Sequence, residues 1–164
     1  MNMYLNENFD FATAADADVK RAFLGVPDKL VLHTGTKLYK WTSYPLVGTN
    51  GITPWWLFVE SRTLPSGVRA DGFRAAEEYA SRLKVSHRAY AEVRAAVSEE
   101  FNNSMEKLLL IEFVAQVWAF AGSASGQVQF KDPGLSHVYL IGGSCQLWIP
   151  NLTLGHVRRI PTMT

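Results

Sequence analysis

Helical periodicity in this 164-residue sequence is concentrated in one central stretch, with β-prone runs on both sides of it. From about Gly72 to Phe101, Phe73, Ala76, Tyr79, Ala80 and Leu83 recur at three- and four-residue spacing, as do Tyr90, Val93, Ala96 and Val97. Val85 to His87 interrupts the pattern, which predicts two helices or one bent helix, with Ser86 as a second N-cap and Asn102-Asn103 as the stop. Before this stretch, Leu30 to His33, Lys37 to Thr42 and Trp55 to Ser61 have strand character. They are separated by Thr34-Gly35-Thr36, by Tyr44-Pro45 and by Gly48-Thr49-Asn50-Gly51, and Leu64-Pro65-Ser66-Gly67 is a further turn. After it come Lys107 to Phe113, Val117 to Ala121, Gln127 to Phe130, His137 to Ile141, Gln146 to Ile149 and Val157 to Ile160, with turns at Gly122 to Gly126 and at Asp132-Pro133-Gly134. Lys107 to Phe113 also fits a buried helix, because a short apolar run does not reveal its period. Strands, then helices, then strands predict an α+β fold rather than alternating βαβ units. One more short helix is expected over Ala15 to Leu24, opened by Asp16 and Asp18 and stopped by Gly25 and Pro27.

Length and charge narrow the classes open to such a chain. Residues 1–164 suit a single globular domain, large enough to bury a core without metals or disulfides. The formal net charge of +1 gives no electrostatic footprint for a nucleic-acid or membrane-surface binder. The single cysteine, Cys145, excludes an intrachain disulfide and fits a reducing cytoplasm. No window reaches the roughly 18 unbroken apolar residues of a membrane span, since Glu112 and Gln116 interrupt the longest run, Leu108 to Phe120. Met1 to Phe11 carries Glu7 and Asp10 and lacks the pattern of a secretory signal. The expectation is therefore a cytoplasmic protein, or one delivered into a target cell by a dedicated machine without a cleavable signal peptide.

Few residues are arranged for chemistry. His33, His87, His137 and His156 show no metal-binding interval, so no metal site is expected. Cys145 is a nucleophile only if the fold brings His137 or His156 to it, and is otherwise a small buried thiol beside Gly143. Gly122-Ser123-Ala124-Ser125-Gly126 lacks the lysine and helix of a phosphate cradle. Trp41, Trp55 and Trp56, with Tyr39 and Tyr44, gather three of the five tryptophans beside the Gly48 to Gly51 loop. They make either a stacking site for a planar ligand or a set of core anchors. Lys40 lines a pocket if its strand face is inward and is a solvated charge if outward. Glu112 is either a buried general base or a carboxylate on a strand edge. Glu77, Glu78, Glu92, Glu99 and Glu100 fall on solvated helical surfaces. Gln146 is a lone polar residue at the lip of a strand that Pro150 ends, and it needs a partner from the protein or from a ligand.

Two segments resemble the ADP-ribosyltransferase toxin fold. Gly35-Thr36-Lys37-Leu38-Tyr39-Lys40, followed by Trp41-Thr42-Ser43, is similar to the family's NAD-holding strand, Leu-Tyr-Arg after Gly-Thr, with Lys40 at the arginine position. Gln146-Leu147-Trp148-Ile149-Pro150 is similar to the late strand Glu-Val-Leu-Ile-Pro, with Gln146 where the family has its catalytic glutamate. The resemblance implies two packed small β-sheets with a helical segment between the N-terminal and C-terminal strands. It implies NAD as cofactor, held by Lys40, Trp41, Thr53, Trp55, Trp56 and Ser61, with Thr53 or Ser61 replacing the family's serine or threonine and Gln146 in the catalytic place. It further implies a bacterial toxin or effector, of the kind used in interbacterial competition, that modifies a macromolecular target, protein or nucleic acid, and is matched by a cognate immunity or antitoxin protein. Gln146 supplies a hydrogen bond but no negative charge, and Lys40 supplies a point charge without the arginine fork. Two other readings stand beside transfer. One is a non-catalytic interaction module whose tryptophan loop grips a partner. The other is a nuclease using His137 or His156 with Arg158 and Arg159.

Overall fold

A computed structural model of the chain describes residues 3–49, 51–94, 107–132, 136–140 and 143–161, and it is α+β. Two short helices, α1 (Phe11–Ala14) and α2 (Ala17–Arg21), precede the strands β1 (Asp28–Leu32), β2 (Lys37–Thr42) and β3 (Trp55–Phe58). A small hairpin, β4 (Arg62–Thr63) and β5 (Arg69–Ala70), leads into α3 (Phe73–Arg82) and α4 (His87–Arg94). The last third is β6 (Lys107–Phe113), β7 (Val117–Ser123), β8 (Gln127–Asp132), β9 (Ser136–Leu140), β10 (Cys145–Trp148) and β11 (Val157–Arg159). Seven strands form one antiparallel sheet in the order β1-β7-β10-β3-β2-β6-β11, while β4-β5 and β8-β9 are separate two-stranded ribbons.

Chain connectivity forces this sheet to curl. β6 and β7 are joined by residues 114–116 only, yet β10, β3 and β2 lie between them in the sheet order. A flat sheet would hold them about 19 Å apart, four strand spacings. The link from Phe113 to Val117 reaches about 14 Å at full extension. The bend falls at β3, whose first half, Trp55 and Trp56, pairs with Trp148 and Leu147 of β10, while its second half, Leu57 and Phe58, pairs with Tyr39 and Leu38 of β2. Where two separate small sheets were expected, the structure has one sheet whose two halves share β3.

The concave face is the main core. Leu32, Ala119 and Leu147 from one half meet Leu38, Phe58 and Ile111 from the other, all essentially inaccessible to solvent. At about 1.5–3 kcal/mol for each large aliphatic or aromatic side chain, this interior is the principal stabilising term. The convex face is covered in two places. Phe11 and Phe23 pack on Phe120 and Trp148 at the α1–α2 end, and Phe73 of α3 packs on Tyr39 at a ring separation of 4.9 Å at the other.

Local chemistry explains most helix ends. The helix expected over Ala15 to Leu24 is the shorter α2, capped by Asp16, which accepts from Val19 N, and a further short helix, α1, precedes it, capped by Asp10, which accepts from Ala12 N. Ser86 caps α4 as expected, accepting from Ala89 N at 3.0 Å, and Lys84 with φ +59° makes the break after α3. The expected continuation to Phe101 and Asn102-Asn103 lies outside the described residues, as do Asn50, Pro133-Gly134, Ile141 and Gly142. Lys107 to Phe113 is a strand, which resolves its ambiguity. The hairpin around Leu64 to Gly67 was visible only as a turn, since strands of two residues carry no period. Among the described residues no helix is long and apolar enough to cross a membrane.

Candidate functional site

The strands that carry the expected site residues are neighbours, in the order β10-β3-β2. Partners across an antiparallel pair share a face, and successive residues alternate. Leu147 pairs with Trp56, and Lys40 Nζ lies 4.0 Å from the centre of a Trp56 ring, so Lys40, Trp56 and Leu147 belong to the concave face. Gln146 and Trp55 alternate with Leu147 and Trp56, and Trp41 alternates with Lys40, so these three belong to the convex face with Tyr39 and Leu57. Contacts agree: Trp55 packs on Phe23, and Trp41 packs on His87. Lys40 and Gln146 are therefore on opposite sides of the sheet. The single cleft expected to hold both is not formed.

Each residue has a local explanation. The half-buried Lys40 ammonium rests on the Trp56 face, donates to the Thr53 carbonyl at 3.3 Å and contacts Thr53 Oγ1. Burial pushes the Lys40 amine down from its ordinary 10.5 to about 7, against the pull of the Trp56 face and the Thr53 oxygens toward the charged form. Trp56 is buried, and its indole donates to Thr53 O at 2.9 Å. It anchors the loop rather than closing over a ligand. Trp55 is half-buried in the aromatic cluster, and the Trp41 indole nitrogen is buried without a partner. Ser61 Oγ accepts from Gly72 N at 2.8 Å and so fixes the start of α3.

Gln146 is 7% exposed, and its Nε2 donates to Ala22 O at 2.8 Å. Ala22 is the C-cap of α2, where helix carbonyls lack intrahelical donors. The partner that the sequence required is thus a helix end. The buried thiol reading holds for Cys145, which burial pushes up to about 12, far from a thiolate. The half-buried Glu112 is not on a sheet edge, since β6 lies between β2 and β11, and its carboxylate is engaged by Arg158 of β11. His156 Nδ1 accepts from Thr153 N at 3.1 Å within its own loop.

The described residues line two openings of interest. A shallow groove of about 260 Å³ is lined by Thr34, Gly35, Thr36, Lys37, Glu60 and Arg62. A smaller cavity of about 40 Å³ lies on the convex face between the sheet and α4, and Tyr39, Arg69, Asp71, Tyr90, Arg94 and Ser144 are among the residues around it. Tyr39 Oη is 3.2 Å from His87 Nε2 in the wall of packed rings behind it. Burial holds the Tyr39 hydroxyl well above, and the His87 imidazole below, their usual ranges, so both are neutral near pH 7. The sequence reading missed the charged members of this cavity. Arg69 and Asp71 stand two apart around the end of β5, and Tyr90 and Arg94 stand one helical turn apart, which are the signals that point to them. No group of three or more metal-ligating side chains forms among the described residues. Comparison with protein families, with curated proteins and with solved structures finds no match to this chain.

Proposed function

We propose that this chain is a non-catalytic binding module built on an ADP-ribosyltransferase-like arrangement of strands. One observation carries the reading: Gln146, in the place of the family's glutamate, is buried on the convex face and capped onto Ala22 O, away from Lys40. Breaking the bond to nicotinamide builds positive charge on the ribose, and a neutral amide already engaged by a helix end offers that charge nothing. No carboxylate among the described residues forms an ion pair with Lys40. Incubation of the protein with NAD and measurement of free nicotinamide tests this directly. The binding reading expects release no faster than in buffer, and release with turnover overturns it.

A second reading is supported by two observations. The strands on which the resemblance rests, β2 and β10, flank β3 in one sheet, and the Gly35-Thr36 pair opens onto the larger groove. In that reading the chain is a toxin or effector that binds NAD at the groove and modifies a macromolecular target, held in check by a cognate inhibitor. Calorimetric titration with NAD separates the two. Saturable binding that is lost in Thr36→Ala, together with nicotinamide release, favours transfer, and no heat of binding removes it.

A further inference from the structure

We propose that the cavity between the sheet and α4 is a binding site for the phosphoryl group of a small phosphate ester. The starting point is Arg94. Its Nε is buried without a hydrogen-bond partner, and among the described residues its guanidinium forms no ion pair. A buried guanidinium nitrogen without an acceptor is destabilising unless a ligand supplies one. The surrounding chain makes room for that charge. Gly143 has φ +94°, and a Cβ there would lie 3.2 Å from Arg94 Nη2 and 3.4 Å from Cζ, so the guanidinium lies flat against a residue without a side chain. Ser144 N donates to Arg94 O at 3.1 Å, which ties the end of α4 to the strand that borders the cavity.

A second guanidinium lines the same cavity. Arg69 is held by Asp71 through Nε at 3.7 Å, a long contact that leaves its terminal nitrogens available. Arg69, Arg94, Tyr90 and Ser144 line the cavity, and their side chains carry between them more donors than the two oxygens of a carboxylate accept, which suits the several oxygens of a phosphoryl group. Arg69 and Arg94 against Asp71 leave one net positive charge, which suits in sign a phosphoryl group carrying about −1.5 to −2 near pH 7. A volume of about 40 Å³ holds that group alone, so the ester's organic part lies outside the mouth. The site is independent of Lys40 and Gln146 and stands whether or not the chain consumes NAD.

The test is calorimetric titration and thermal melting with inorganic phosphate and ribose 5-phosphate, with acetate and chloride at matched ionic strength as controls. Saturable binding of phosphate or its ester, with a rise in melting temperature that acetate and chloride do not produce, is expected. Arg94→Gln should weaken it roughly tenfold or more, and so should Arg69→Gln, which changes an exposed side chain and leaves the packing intact. Lys40→Ala should leave it unchanged. Tighter binding of the ester than of inorganic phosphate supports an organic part at the mouth. An equal response to acetate or chloride, or unchanged binding in folded Arg69→Gln, overturns the proposal.

Discussion

Lys40 shows how one side chain is set by the face on which it lies. The sequence left inward and outward placements open, because the alternation of β2 is blurred where Leu38 and Tyr39 are both buried. Register with β3 decides the matter, and register is a long-range property. Burial lowers the Lys40 amine to about 7 in the fold against 10.5 when unfolded. Below about pH 7 the amine is charged in both states and its burial opposes folding in full. Between there and pH 10.5 the unfolded chain binds the extra proton, so stability rises with pH. Cys145 acts in the opposite sense only above its unfolded value of 9.0. Lys40→Met should therefore be more stable than the parent at pH 6.5, and the difference in melting temperature should shrink between pH 7 and 9. A difference that is flat across this range would refute the burial of the amine. Gln146 was legible as a polar residue needing a partner. That the partner is Ala22 O, 124 positions away in sequence, was not.

At the scale of elements, local signals were read well and tertiary joints were not. The bounds of β2 and the Ser86 cap follow from turn residues, a capping hydroxyl and apolar spacing, all of which act within a few residues. The start of α3 depends on something the sequence does not display. Gly72 is buried between the ends of two elements, and a Cβ there would press on the Val59 carbonyl and lie 2.6 Å from Ser61 N. Gly72→Ala should destabilise the protein by roughly 1–3 kcal/mol, as overpacking does. Ser86→Ala should cost about 1 kcal/mol through loss of the α4 cap. Denaturant midpoints at unchanged slope measure both, and a neutral Gly72→Ala would mean that α3 starts elsewhere.

For the whole molecule, the α+β class was legible because strands and helices segregate along the chain. The single curled sheet was not, since it follows from β6 and β7 being joined by a link too short for a flat one. Leu147 sits where the two halves meet, pairing with Trp56 on one side and Ala121 on the other at 0% exposure. Leu147→Ala should cost about 2–5 kcal/mol in a urea unfolding series. A loss below 1 kcal/mol would argue that the halves do not share one core. Register and alternation within this sheet place Lys40 and Gln146 on opposite faces, and on that separation the functional account rests. Nicotinamide release from NAD by Gln146→Glu tests it most directly. Restoring the family's carboxylate on the convex face should give no release, and should lower the melting temperature because a buried carboxylate cannot donate to Ala22 O. Release above the parent's background, lost again when Lys40→Ala is added, would show that the two residues act in one cleft and would contradict the account.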